Sequence, residues 1–208
     1  PVLRANGAGA TFFWALGREK NGSFLRPGRY IRKIAGASYI PLKQRFGFTA
    51  LLAGSFKHSP KLAKMAGKVI EQLSDEGFEH GVRPAQRHLW QTQIMQLDAE
   101  QTRAAYGETY ALFERLTGRK PAAHAASGWQ INRTAFRLHQ MTQLTFACDC
   151  RGQFPFWPIV QGEYIRCPQI PVTLPMLEEL LPQMGIAQAV EVLQQKTVNQ
   201  QDSIHVFN

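Results

Sequence analysis

The sequence predicts an α/β fold with a parallel sheet. Three features carry that expectation: short apolar runs suited to buried strands, amphipathic stretches closed by helix stop signals, and the alternation of the two along the chain. The first run, "GATFFWALG" (residues 9–17), is continuously apolar and ends on glycine, the pattern of a strand buried on both faces. After a basic stretch, "KMAGKVIEQLSDEGFEHGV" reads as a helix closed near Gly77 and then a short strand. "DAEQTRAAYGETYALFERLTG" is the clearest helix. Asp98 is suited to the N-cap with Gln101 three residues on, a capping-box spacing, and Gly118 stops it. Its expected buried stripe is Ala105, Thr109, Leu112 and Leu116, with Tyr106 and Phe113 beside it.

The second half continues the alternation. "PAAHAASGW" reads as a strand running into a loop, "NRTAFRLHQM" as a helix and "LTFACD" as a strand. "CPQIPVTLP" is expected to be extended and edge-like because its prolines cannot donate to a ladder. "PMLEELLPQMG" and "IAQAVEVLQQK" read as helices and "SIHVF" as a final strand.

With 44% hydrophobic and 19% charged residues, the 208-residue chain has the composition of a globular protein and not of a disordered one, and a single domain over 1–208 is expected. No run approaches the roughly 18–20 apolar residues of a membrane span, and the opening "PVLRANGAGATFF" carries no signal-peptide pattern. Cys148, Cys150 and Cys167 lack zinc-ribbon spacing, so reduced core or semi-buried thiols are expected. The net charge of +9 is unevenly placed. Residues 18–68 hold twelve Lys/Arg and one acid, Glu19, while the rest of the chain has twelve basic against fourteen acidic residues. That stretch mixes Phe, Tyr, Leu and Ile with the cations and is broken by Pro27, Gly28, Gly36, Pro41, Gly47 and Gly54. Short amphipathic helices at an anionic membrane surface are the reading it favours. A solvated basic flap stands second. Nucleic acid is not expected as a partner, because no RNP, KH or zinc-finger pattern accompanies the charge. Lys57, Lys61, Lys64 and Lys68 fall on one basic helix face by their spacing.

"HLWQTQ", "AASGW", "CDCRGQFPFWP" and "PQIPVTLP", in that order, resemble the polysaccharide deacetylase (NodB-homology) superfamily, and within it the 4-deoxy-4-formamido-L-arabinose-phosphoundecaprenol deformylase branch. The resemblance implies a distorted (β/α)7 deacetylase-type barrel, with the basic stretch at about 18–68 as a membrane-resting insertion. It implies metal-assisted hydrolysis of a C–N amide on an undecaprenyl-phosphate-linked amino sugar, a hydrolase of carbohydrate metabolism and lipid A modification. It further implies a cytoplasmic protein, peripheral on the inner face of the cytoplasmic membrane. The divalent metal of such hydrolases (zinc, manganese or cobalt) polarises the carbonyl and activates water, with an aspartate and a histidine moving protons.

The metal-binding motif of that family resembles H-A-W-D-H-H-x-W-Q. Aligned through Trp90 and Gln91, it falls on residues 83–91. Arg83 and Arg87 then occupy the two ligand-histidine positions and Gln86 the aspartate, while His88 matches the non-ligand histidine. A guanidinium has no free lone pair and stays protonated. One held about 4 Å from a dication, at an effective dielectric of about 20, repels it by about 8 kcal/mol. The resemblance places the remaining metal and base aspartates on a strand ahead of "GATFF", before Pro1, and the catalytic histidine on the last strand. "SIHVFN" offers two registers there. His205 matches that histidine, or, as preferred, "HVFN" stops just short of it. The expectation is a barrel without its first and last strand regions, no assignable catalytic residue, and no cofactor in this chain. Two explanations stay open, a degenerate or incomplete hydrolase and a scaffold reused for binding.

Four residues at strand-end loops remain as substrate-binding candidates: Trp129, Asp149, Arg151 and Gly152. Trp129 is suited to stack on a sugar ring or to pack the loop. Arg151 is suited to meet a substrate phosphate or to pair with Asp149. His124, inside an alanine-rich strand, reads as a satisfied buried histidine, and no role is assigned to His58, His80 or His139.

Overall fold

The computed structural model describes residues 2–17, 62–199 and 206. Most of the basic stretch, including Lys57 and Lys61, lies outside the described residues, as do His58 and His205. Described residues 2–17, 62–150 and 156–170 form one compact unit, and 151–155, 171–199 and 206 contribute to a second.

The first unit opens with a single helical turn, α1 (Val2–Ala5), followed by β1 (Thr11–Trp14). Then come α2 (Leu62–Asp75), β2 (Glu79–Val82) and α3 (Arg87–Gln93). A 3-10 turn at Ile94–Gln96 leads into α4 (Ala99–Thr117), and β3 (Ala123–His124) follows. After a second 3-10 turn, Ser127–Trp129, the chain forms α5 (Arg133–Met141) and β4 (Phe146–Ala147). The four strands lie in the order β1-β2-β3-β4, all pairs parallel, with Val82, His124 and Ala147 in register across three of them. Consecutive parallel neighbours joined by helices are the arrangement the alternation predicts. Beyond β4 the sheet continues in 168–170, where Ala147 N–H donates to Pro168 O (2.9 Å) and Ile170 N–H to Ala147 O (2.8 Å). A hairpin of β5 (Ile159–Val160) and β6 (Glu163–Tyr164) turns through Gln161 and Gly162, both at positive φ. This is the two-residue connection whose twist suits paired strands. Glu163 accepts from Arg133 Nη2 and Arg137 Nε, tying the hairpin to α5.

The capping box of α4 forms as predicted. Asp98 Oδ1 accepts from Gln101 N–H (2.8 Å), and Gln101 Oε1 accepts from Asp98 N–H (3.2 Å). Gly118 ends the helix in the left-handed region, φ +66°. The buried stripe is rotated by about one position from the expected one and runs through Thr102, Tyr106, Thr109 and Phe113. Leu112 and Leu116 are only partly buried, flanking the core of Leu16, Ile70, Val82 and Phe113. The large rings take the sheet side because they remove the most apolar surface from water. A second cluster gathers Trp90, Ile94, Tyr106 and Ala135, and a third Leu144, Ala147, Ile165 and Cys167. "GATFFWALG" corrects in one respect: β1 is half-buried along its length, and full burial begins only at Leu16 and Gly17. The "LTFACD" strand is real but just two residues long.

In the second unit, α6 (Leu177–Leu180) and α7 (Ile186–Asn199) match the two predicted helices. Arg151 bridges Val172 in parallel, and Val206 O accepts from the N–H groups of Thr173 and Leu174. Of the final "SIHVF", Val206 is the described residue, and it pairs as an extended segment does.

Candidate functional site

The motifs that carry the family resemblance are mutually connected in the first unit. Trp90 on α3 donates from Nε1 to Gln130 O (2.7 Å), binding "LWQ" to the turn that holds "SGW". Gly128 in that turn sits at φ +66°, and a Cβ there would lie 2.5 Å from Gln91 Cγ, so only glycine allows the two segments to meet. Asp149 N–H donates to Gln169 Oε1 (3.0 Å), and Gln169 Nε2 donates back to Asp149 Oδ2 (3.1 Å). That reciprocal pair joins "DCRG" to "PQIP", and both side chains are wholly buried.

Asp149 is also the centre of a buried His–His–Asp cluster. His124, on β3, places Nδ1 2.6 Å from Asp149 Oδ1. His139, in the last turn of α5, places Nδ1 3.4 Å from Asp149 Oδ2, and the two imidazoles lie 4.7 Å apart, centre to centre. Exposure is 1% or less for all three. Aromatic rings enclose them: Trp90 and Tyr106 against His124, and Tyr106 and Phe136 against His139. Tyr106 hydroxyl bonds to that of Tyr110 (2.7 Å) and to Thr142 Oγ1 (3.2 Å). Burial therefore raises both phenols well above the ordinary tyrosine range and leaves them neutral.

The electrostatics of the cluster follow from its dryness. Burial pushes His139 down to about 3, outweighing the attraction of Asp149, so its imidazole is neutral at ordinary pH. Among the described residues, neither of its ring nitrogens has a hydrogen-bond partner. Burial also opposes ionisation of Asp149, but His139, His124 and the hydrogen bonds from His124 and Gln169 more than offset it, bringing the carboxyl below its ordinary value. The thiols respond in the opposite sense. Burial and the nearby Asp149 charge raise Cys148 and Cys167 to about 12 and Cys150 to about 11, so all three stay protonated and unreactive.

The other sequence candidates fall elsewhere. Arg83 follows β2, its N–H bonded to Trp14 O (2.9 Å), and Arg87 is exposed at the first position of α3. Gln86 between them donates to Glu108 on α4 (2.8 Å). Trp129 is half-buried at the end of the 3-10 turn, with φ +52°. In the second unit Arg151 forms a two-pronged pair with Glu179 on α6, at 2.5 and 2.9 Å, and Glu179 also accepts from Met176 N–H. Asp149 is held by His124 and Gln169 within the first unit, and Arg151 pairs with Glu179 within the second. Gly152 packs closely on Pro171. His124 is buried, as expected, and hydrogen-bonded.

Sequence reasoning passed over His139 and Gln169. His139 was legible as a helix position: it lies one turn after Ala135 on the buried stripe of α5. Gln169 had no such signal, since it sits between prolines in an irregular segment.

No family model matches the chain. Two curated relatives, both named probable 4-deoxy-4-formamido-L-arabinose-phosphoundecaprenol deformylase ArnD, are similar in sequence. The protein from Shewanella sediminis is 27% identical over 184 residues, covering 86% of this chain and 58% of its own length. That from Wigglesworthia glossinidia brevipalpis is 24% identical over 185 residues, covering 86% and 63%. The chain therefore spans about three fifths of the length of these relatives. Among solved structures, a putative polysaccharide deacetylase from Mycobacterium smegmatis superposes with a TM-score of 0.54 at 14% identity, over 71% of this chain and 55% of that one. Puue allantoinase gives 0.54 at 17% identity, and a probable polysaccharide deacetylase from Pseudomonas aeruginosa PAO1 gives 0.53 at 16%, each over 71% and 52%. The α/β fold with its parallel sheet is the deacetylase fold over that share. In sequence and in fold alike, the chain resembles the polysaccharide deacetylase (NodB-homology) superfamily that its ordered motifs indicated.

Proposed function

We propose that this chain recognises an undecaprenyl-phosphate-linked amino sugar on the scaffold of a C–N amide hydrolase. The observation that carries the reading is the joining of the recognised motifs, through Trp90 and Gln130, Gly128 and Gln91, and Asp149 and Gln169. The sequence likeness to two deformylases supports it. Within the first unit, Trp129 is assigned to the sugar ring. Asp149, wholly buried, acts through the shape it gives the strand ends and not by touching substrate.

The ion of the deacetylase mechanism does not fit the aligned position. Arg83 and Arg87 offer cationic donors where ligand lone pairs are required, so no hydrolytic step is routed through a metal there. This favours a second reading, binding without hydrolysis. Membrane association at the inner face is part of the same proposal. It rests on the basic stretch at 18–68 and on the exposed Phe156, Trp157, Ile159 and Tyr164 of the first unit, where Trp157 stacks on Tyr164. Aromatic and aliphatic side chains of this kind suit the headgroup boundary. Among the described residues, no helix is long and apolar enough to cross a membrane.

The test is an assay of the purified chain with the formamido-sugar lipid in detergent, reading formate release and binding together. Saturable binding that Trp129→Ala weakens by about tenfold supports the proposal, with formate release choosing hydrolysis over binding alone. Absence of binding overturns it. Co-sedimentation with vesicles containing one third anionic lipid, and loss of it with neutral vesicles, tests the membrane element.

A further inference from the structure

His139 has both ring nitrogens buried and, among the described residues, without a hydrogen-bond partner, which opposes folding unless something occupies the space beside them. Its Nδ1 faces a buried carboxylate oxygen at 3.4 Å. The same carboxylate holds His124 Nδ1 on its other oxygen, and ligand atoms of the three residues all lie within 4.8 Å of one another. Pairing Asp149 with His124 accounts for one imidazole and leaves the other without a function.

We propose that His124, His139 and Asp149 bind one divalent transition ion of the zinc type, at a position separate from Arg83 and Arg87. Two imidazole nitrogens and a carboxylate suit zinc better than magnesium or calcium, which prefer all-oxygen shells. Bonds of about 2.0–2.1 Å to a tetrahedral ion set neighbouring donors roughly 3.3 Å apart. The His139–Asp149 contact already has that spacing. The His124–Asp149 contact has to open by roughly 0.7 Å to reach it. With both carboxylate oxygens bound the ion has four donors, and the narrow bite of the carboxylate makes the shell a distorted tetrahedron. Gln169 is the outer-shell partner such sites use: it donates to one Asp149 oxygen and accepts from the Asp149 N–H, fixing the carboxylate. The aromatic surround and complete burial leave no open coordination position for water, so the ion is structural and braces β3, α5 and the end of β4 against one another. The sulfur atoms of Cys148, Cys150 and Cys167 are not part of this cluster of ligand atoms.

The full chain is loaded with zinc, passed through a desalting column and analysed for metal and for thermal midpoint with and without chelator. About one zinc per chain and a chelator-induced drop in midpoint are expected. His139→Gln and Asp149→Asn should each lose the zinc and the chelator response, while Arg87→Ala keeps both. If either variant fails to fold, cobalt substitution of the unaltered chain decides. Visible bands of a nitrogen–oxygen site are expected, without the near-ultraviolet charge-transfer band of a thiolate ligand. Zinc that does not survive desalting, zinc retained by both folded variants, or a thiolate band would each overturn the assignment. The site stands independently of the sugar-lipid reading, and formate release or lipid binding bears only on the latter.

Discussion

Asp149 and Gln169 hold each other by two hydrogen bonds in the dry interior, backbone N–H to Oε1 at 3.0 Å and Nε2 to Oδ2 at 3.1 Å. The pair converts two motifs twenty residues apart into one piece of structure at the end of β4. Removing the glutamine side chain leaves a buried amide N–H and a buried carboxylate oxygen each short of a partner. Gln169→Ala is therefore expected to lower unfolding free energy by about 2–4 kcal/mol. Urea titration of the purified chain measures it, and a loss under 1 kcal/mol would mean that the two bonds contribute little.

Gly128 and Gln91 provide a test of how the "SGW" turn docks on α3. Gly128→Ala meets Gln91 Cγ at 2.5 Å and Cδ at 2.8 Å and places an L side chain at φ +66°. Gln91→Ala removes the collision but not the backbone strain. The alanine at 128 should cost about 2–3 kcal/mol alone and about 1 kcal/mol when Gln91 is already alanine. A double-mutant cycle by urea unfolding reads the difference, and strict additivity would show that the two side chains do not oppose each other.

His80 couples β1 and α2 to pH. Its Nδ1 accepts from Trp14 Nε1 (3.0 Å), so the proton sits on Nε2, which donates to Ser74 Oγ (3.0 Å). Burial, and then the charge of Arg119, lower its pKa below 6.5, with Glu79 opposing. A lowered folded value means that the unfolded chain binds the proton more readily. The stabilisation is complete above pH 6.5 and is lost as pH falls from there through the folded value. Between pH 8 and 5 the urea midpoint should fall more steeply for the unaltered chain than for His80→Phe, and parallel profiles would remove His80 as the cause.

Local rules made the helices legible and tertiary chemistry hid the cluster. Asp98, Gln101 and Gly118 act within one turn of backbone, so their spacing alone located both ends of α4. Asp98→Ala should accordingly cost about 1 kcal/mol in thermal or urea unfolding, the ordinary worth of such a cap. The stripe between those ends was displaced because Tyr106 and Phe113 outcompete Leu112 and Leu116 for the sheet face, a decision made by packing and not by periodicity. His124, His139 and Asp149 are separated by fifteen and ten residues and lie on a strand, a helix and a strand end, a grouping no linear spacing displays. The same holds for Arg151, whose partner Glu179 lies 28 residues away. Residues 83–91 were the opposite case, since a contiguous motif exposed each substituted position directly.

The location of bound metal tests the reading of residues 83–87 most directly. Crystals of the purified chain grown with zinc, measured at the zinc absorption edge, yield an anomalous difference map. The expected map has a peak enclosed by His124, His139 and Asp149 and none beside Arg83 and Arg87. A peak coordinated in the loop between β2 and α3, within bonding distance of residues 83–88, would contradict the claim that arginines there exclude the ion.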